Sequence, residues 1–144
     1  NDSPTSGCIN GAGTGALLTG SGTSSVALDN LVLTTSGLPT GSFAMTVMGT
    51  GTTPPAILAN GLRCVGGWIH RFPPYSTASG TASIGRGTPN VSMGLVAYST
   101  SSFALSGHIT AGSTFHFQTF YRDLGGPCGA MFNLSNALTV NFTL

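Results

Sequence analysis

Thr114-Phe115-His116-Phe117-Gln118-Thr119-Phe120-Tyr121 is the stretch that decides the fold. Phe115, Phe117 and Tyr121 fall on one side of it, and His116, Gln118 and Phe120 on the other. A period of two is the signature of a β-strand, whose successive side chains point to opposite faces. Ala137 to Thr143 repeats it, with Leu138, Val140 and Phe142 alternating with Thr139, Asn141 and Thr143. A strand of that kind buries one face and shows hydroxyls on the other.

Working outward, the remaining strands are shorter and separated by turn residues. Val26 to Leu33 reads as a strand interrupted at Asp29-Asn30 by a bulge, which re-aims Asp29. Gly37 to Gly41 is a turn and Phe43 to Met48 a strand, followed by a loop, Thr50 to Pro55, that its paired prolines hold extended. Leu62 to Val65 and Trp68 to Phe72 flank Gly66-Gly67, as either a tight hairpin or one bulged strand. Ser79 to Ile84, Val91 to Ala97 and Ser102 to Ile109 are weaker strand candidates. About eight strands at turn spacings near ten residues predict an all-β chain, an antiparallel β-sandwich of jelly-roll or Ig-like type. The expected organisation is an irregular N-terminal arm over residues 1–15 and a single sandwich domain over residues 16–144.

Charge is scarce. Charged residues make up 5 % of the 144, against about 25 % in ordinary soluble domains. The four cations are Arg63, Arg71, Arg86 and Arg122, the three acids are Asp2, Asp29 and Asp123, and lysine and glutamate do not occur. Without lysine there is no Walker-type phosphate loop and no Schiff-base chemistry, and four dispersed arginines cannot neutralise many backbone phosphates. Neither nucleic acid nor a cofactor is therefore expected. Hydroxyl takes the place of charge, in 17 Ser and 20 Thr. Disorder is excluded by the 40 % hydrophobic content and the eight Phe spread along the chain. No apolar run approaches the roughly 20 residues that span a bilayer. The opening Asn1-Asp2-Ser3-Pro4 is polar, so a signal peptide is not expected and an exported protein would be in its mature form.

Motifs for catalysis are weak. A glycosidase-like carboxylate pair would have to be Asp29 with Asp123, and nothing nearby would tune the two apart. A three-histidine metal site would need His70, His108 and His116, each isolated among packing residues. No Gly-x-Ser-x-Gly elbow occurs, and Gly11-Ala12-Gly13-Thr14-Gly15-Ala16 matches a dinucleotide fingerprint without its strand, helix or acid. The chain reads as no enzyme. Its charged residues read as structural ion pairs among Asp29, Arg71, Arg122 and Asp123, each arginine fork reaching a carboxylate or a turn carbonyl.

Several segments together carry a resemblance. They are Gly7-Cys8-Ile9-Asn10, Asp29 to Pro39, Asn60-Gly61-Leu62-Arg63-Cys64-Val65-Gly66-Gly67, Ile69-His70-Arg71, Ala111 to Asp123 and Phe132-Asn133-Leu134-Ser135-Asn136-Ala137-Leu138-Thr139-Val140. In order and spacing the chain resembles a β-rich domain found near the C-termini of large exported proteins of planctomycetes and myxobacteria. That resemblance implies a secreted or cell-surface setting rather than an activity. Where the family domain is a tail, this chain is expected to stand alone as a small subunit. The resemblance also implies a disulfide between Cys8 and Cys64, leaving Cys128 spare; pairing of Cys64 with Cys128, with Cys8 left on the arm, is the alternative. A bridge over so long a loop stabilises by roughly 4 kcal/mol in the chain-entropy model.

Asn-x-Ser/Thr triplets at Asn1, Asn90, Asn133 and Asn141 are candidate glycosylation positions. Two functions fit. The first is a structural subunit that self-assembles into an extracellular filament, sheath or surface layer. Its contacts are expected at the arm, Asn1 to Gly15, and the terminal strand, Ala137 to Leu144, because no lysine guards the sheet edges. The alternative is a carbohydrate-binding or adhesion module of the cell surface, with Trp68, Tyr75 and Tyr98 stacking on a polysaccharide.

Overall fold

The computed structural model describes residues 6–144. The strands are β1 (Leu17–Ser21), β2 (Val32–Ser36), β3 (Phe43–Leu58), β4 (Gly61–Arg71), β5 (Tyr75–Ser76), β6 (Ala82–Gly85), β7 (Thr114–Arg122) and β8 (Phe132–Asn141). One helix, α1 (Leu95–Ser102), and a 3-10 turn at Leu105–Gly107 lie between β6 and β7. The strands form two antiparallel sheets, one ordered β1-β2-β6 and the other β4-β3-β7-β8, with β5 paired to the start of β3. The chain is thus an all-β sandwich.

The core lies between the sheets, and its residues are those the alternation selects. Leu18, Leu33 and Ile84 face inward from the smaller sheet, and Ala44, Met48, Phe115, Phe117 and Tyr121 from the larger. Phe72 seals one end, packed against Tyr98 and Phe103 with ring centroids 5.4 and 5.1 Å away. Phe142 fills the space beside Phe115 and Phe117. Hydroxyls cross this core as well as coating the surface. Thr35 of β2 bonds Thr119 of β7 at 2.7 Å, Thr119 meets Thr46 of β3 at 3.3 Å, and Thr46 meets the Tyr75 hydroxyl at 2.9 Å. That chain links the two sheets and satisfies hydroxyls that burial would otherwise leave costly.

Two expected strands, Val91 to Ala97 and Ser102 to Ile109, are absent, and a third, Val26 to Leu33, is shortened. Val26 to Leu28 form a turn, closed by the Asp29 N–H donating to the Ser25 carbonyl at 3.0 Å, and the strand begins only at Val32. Asp29 takes a positive φ of 41°, which aims its carboxylate at α1. There Oδ1 accepts the Val96 N–H and Oδ2 the Ala97 N–H, both at 2.9 Å. Val91 to Ala97, expected as strand, is instead the approach to and first turn of this helix. A carboxylate distant in sequence supplies the cap that Gly94, at the N-cap position, has no side chain to provide. Ser102 to Ile109 likewise runs from the helix end through the 3-10 turn.

The long hairpin β3–β4 bends across its own sheet. Thr50 to Pro55, expected as a loop, is part of β3, and Gly66-Gly67 sits in a single bulged strand. Between the pairs Thr52↔Val65 and Ala56↔Arg63, β3 carries two surplus residues, and Pro54 and Pro55 occupy this irregular stretch where no ladder donor is needed. The distal half of the hairpin becomes a strap over the outer face of β7 and β8. Buried Gln118 of β7 holds it: its Nε2 donates to the Leu62 carbonyl at 2.8 Å, and its Oε1 accepts the Cys64 N–H at 3.1 Å. The tip is latched by Asn60, whose Nδ2 donates to the Ala130 carbonyl at 2.7 Å and whose Oδ1 accepts the Ala130 N–H at 3.2 Å.

Candidate functional site

Cross-strand register places the outer-face side chains in three rows. Arg71, Val47 and Gln118 share one row of the five-stranded sheet, and Met45, Phe120 and Leu134 the next. Arg122 and Phe132 pair in the third, with Phe43 one step beyond the pair Ala44↔Tyr121 and so opposite Arg122. The strap roofs the first two rows, adding Leu58, Arg63 and Val65, and encloses a cleft of about 240 Å³. The third row lies outside it and continues as an open shelf. Phe43 there is 61 % exposed and Phe132 38 %. Phe120 joins the two regions, lining both and stacking on Phe132 at 5.1 Å and 25°.

Three arginines stand on this face: Arg63 and Arg71 line the cleft, and Arg122 the shelf. The expected ion pairs do not form. The Asp29 carboxylate is taken by α1, and the buried Asp123 accepts the Gly11 N–H at 2.8 Å and the Asn133 amide at 3.2 Å. Backbone and amide N–H groups thus serve both acids, and among the described residues no interaction occupies the guanidinium groups of Arg63, Arg71 or Arg122. Arg86 alone reaches a turn carbonyl, that of Leu28 at 2.9 Å. Asp2 lies outside the described residues.

The three aromatic candidates have different settings. Tyr75 is core, 4 % exposed with its hydroxyl on Thr46. Tyr98 packs on Phe72 and Phe103. Trp68 stands 73 % exposed beside the glycine bulge, its backbone N–H donating to the Thr50 hydroxyl at 3.0 Å. Sequence reading does not single out Phe43, Phe120 and Phe132 as a binding surface; the signal for it is an aromatic on each side of β7.

Other candidates are dispersed. Cys8 and Cys64 line one shallow pocket with Ser135 and Ala137, and no disulfide joins the described cysteines. The expected bridge is therefore not formed: hydrogen bonds from Gly7 to Ala16 and from Asn133 to the Ile9 carbonyl fix the arm's backbone without it. Burial, with Cys8 nearby, pushes the Cys64 thiol up, while Cys128 is exposed in its loop. His70 meets Phe103 and Ser106, His108 the Phe103 carbonyl, and His116 the Thr139 hydroxyl. Burial lowers the His70 pKa. Asn133 is fully buried and holds Asp123, so the folded chain does not offer it for glycosylation; Asn90 is half-buried and Asn141 exposed, and Asn1 lies outside the described residues.

The described part of the arm is docked rather than extended. Asn10 is buried, donating to the Gly37 carbonyl at 2.7 Å and to the Tyr121 hydroxyl at 3.2 Å. Of the terminal segment Ala137 to Leu144, Phe142 is core and Thr143 bonds Ser24 and Val26 through its backbone. Side-chain amides cover the edges of the smaller sheet. Asn136 accepts the Leu18 N–H and donates to the Leu18 carbonyl on β1, and Asn90 donates to the Ser83 carbonyl on β6.

No family model, curated protein or solved structure matches this chain.

Proposed function

We propose that the chain is a non-catalytic carbohydrate-binding domain, with its ligand on the outer face of the five-stranded sheet. One observation carries the reading: the ring shelf of Phe43, Phe120 and Phe132 opens without interruption into the cleft beneath the strap. Exposed aromatic rings present a flat apolar surface that suits the C–H face of a sugar ring, and polar groups beside them fix its orientation. Commitment of both described aspartates to N–H donors supports a binding role over hydrolysis. The secreted or cell-surface setting implied by the sequence resemblance suits such a ligand.

Self-assembly into a filament is less well supported, because the described part of the arm is docked on its own fold and amide side chains bond both edge strands of the smaller sheet. Retention of the protein on a panel of insoluble polysaccharides tests the proposal. Binding is expected, and Phe120→Ala and Phe132→Ala are each expected to weaken it about tenfold with little change in melting temperature. Retention on no polysaccharide, or retention indifferent to both substitutions, would overturn it.

A further inference from the structure

The outer face holds three of the four arginines, and both acids among the described residues, Asp29 and Asp123, are engaged elsewhere. Arg71 shares a row with Gln118, and Arg122 lies four residues along β7 from Gln118, a rise of about 14 Å at strand spacing. Arg63 approaches the first of these rows from the strap. The cations therefore mark two stations, at the cleft and at the end of the shelf, with Phe120 between them. A single small anion cannot engage both.

We propose that the ligand is an extended acidic polysaccharide of uronate type, its carboxylates read by Arg63 and Arg71 at one station and by Arg122 at the other. This rests on the carbohydrate-binding reading above and specifies its substrate class. An arginine fork matches a carboxylate with two parallel N–H···O bonds, and a guanidinium is more weakly hydrated than an ammonium, so it gives up water more readily. Sugar rings between the charged groups then lie over Phe120, Phe132 and Phe43. A sugar chain is favoured over a nucleic acid by the rings between the two stations: the C–H faces of successive sugars lie directly on the phenylalanines, and the planar carboxylates beside them match the arginine forks, while binding of a nucleic acid is an outcome of the test.

The test is affinity electrophoresis of the whole chain in gels containing polygalacturonate, the same polymer fully methyl-esterified, dextran sulfate or single-stranded oligothymidylate. Polygalacturonate is expected to retard the protein and its methyl ester to bind at least tenfold more weakly. The interaction should fade as salt is raised, since charges on an exposed face are screened. Arg71→Gln and Arg122→Gln are each expected to weaken retardation about fivefold or more. Arg71→Lys, which keeps the charge and loses the fork, should fall between Arg71→Gln and the parent. Melting curves of all variants check that the fold is intact. Equal binding of the esterified polymer would overturn the acidic assignment and leave the carbohydrate reading standing. Tighter retardation by dextran sulfate or oligothymidylate would overturn the uronate assignment. Failure to bind any of these polymers, together with failure on the neutral panel, would overturn both.

Discussion

The two faces of β7 differ less in composition than in what covers them. The inner face carries Phe115, Phe117, Thr119 and Tyr121, all buried against the smaller sheet. The outer face carries His116, Gln118, Phe120 and Arg122, and only a bent hairpin lies over it. Each face has aromatics and one buried polar group holding a neighbour: Thr119 bonds β2 across the core, and Gln118 bonds the strap. Apolar content therefore does not choose the core side of a strand. A complete opposing layer does, and a partial layer leaves a cleft.

The largest effect expected from this contrast is a split between two neighbouring phenylalanines. Phe117→Ala removes a wholly buried ring and is expected to cost about 3–5 kcal/mol. Phe120→Ala on the other face is expected to cost about 1 kcal/mol or less and to act on binding instead. Urea unfolding of the two variants reads the difference, and equal losses would show the outer face to be core. Next is the remote cap: Asp29→Ala strands two helix N–H donors and should cost about 2 kcal/mol, with loss of protection at Val96 and Ala97 in hydrogen exchange.

Thr119→Val, which interrupts the hydroxyl chain between the sheets, should cost about 1–2 kcal/mol by the same unfolding measurement. Tyr121 gives the smallest effect at neutral pH. Burial, opposed by the Asn10 hydrogen bond and reinforced by Asp123, pushes its pKa up to about 12 from the ordinary 10.0. Its neutral form is favoured by folding, so this contribution is complete below pH 10 and lost as pH rises through about 12. Tyr121→Phe should therefore cost about 1 kcal/mol at pH 7 and flatten the alkaline fall in stability; an unchanged fall would assign it to another group.

The sequence makes local elements legible and distant partnerships illegible. β7 and β8 stand out because alternation is a property of adjacent residues. The helix at Leu95–Ser102 does not, because its cap arrives from Asp29 and its own approach contains Val91, Gly94 and no capping side chain. Thr50 to Pro55 resembles a loop because proline cannot serve a regular ladder, and only the register shows that an irregular stretch accommodates it. Among exposed aromatics, Trp68 is recognisable as a single ring beside a glycine pair, and it lies outside the cleft and shelf. The shelf is not recognisable, since Phe43, Phe120 and Phe132 come from three strands. Attraction of opposite charges predicts aspartate–arginine pairs; the fold instead surrounds Asp29 and Asp123 with amide N–H groups, leaving the guanidiniums of Arg71 and Arg122 to the outer face.

The asparagines along the smaller sheet carry one last implication. Many proteins discourage strand addition with ionised side chains, a defence that salt screens. Asn136 and Asn90 occupy the strand edges with neutral groups that neither salt nor acid alters. At these two edges of the smaller sheet, the protection is therefore indifferent to brine and to acidity. Its vulnerability is chemical ageing, because asparagine is among the thermolabile residues and deamidation at Asn136 would replace the amide that donates to Leu18 with a carboxylate facing a carbonyl oxygen.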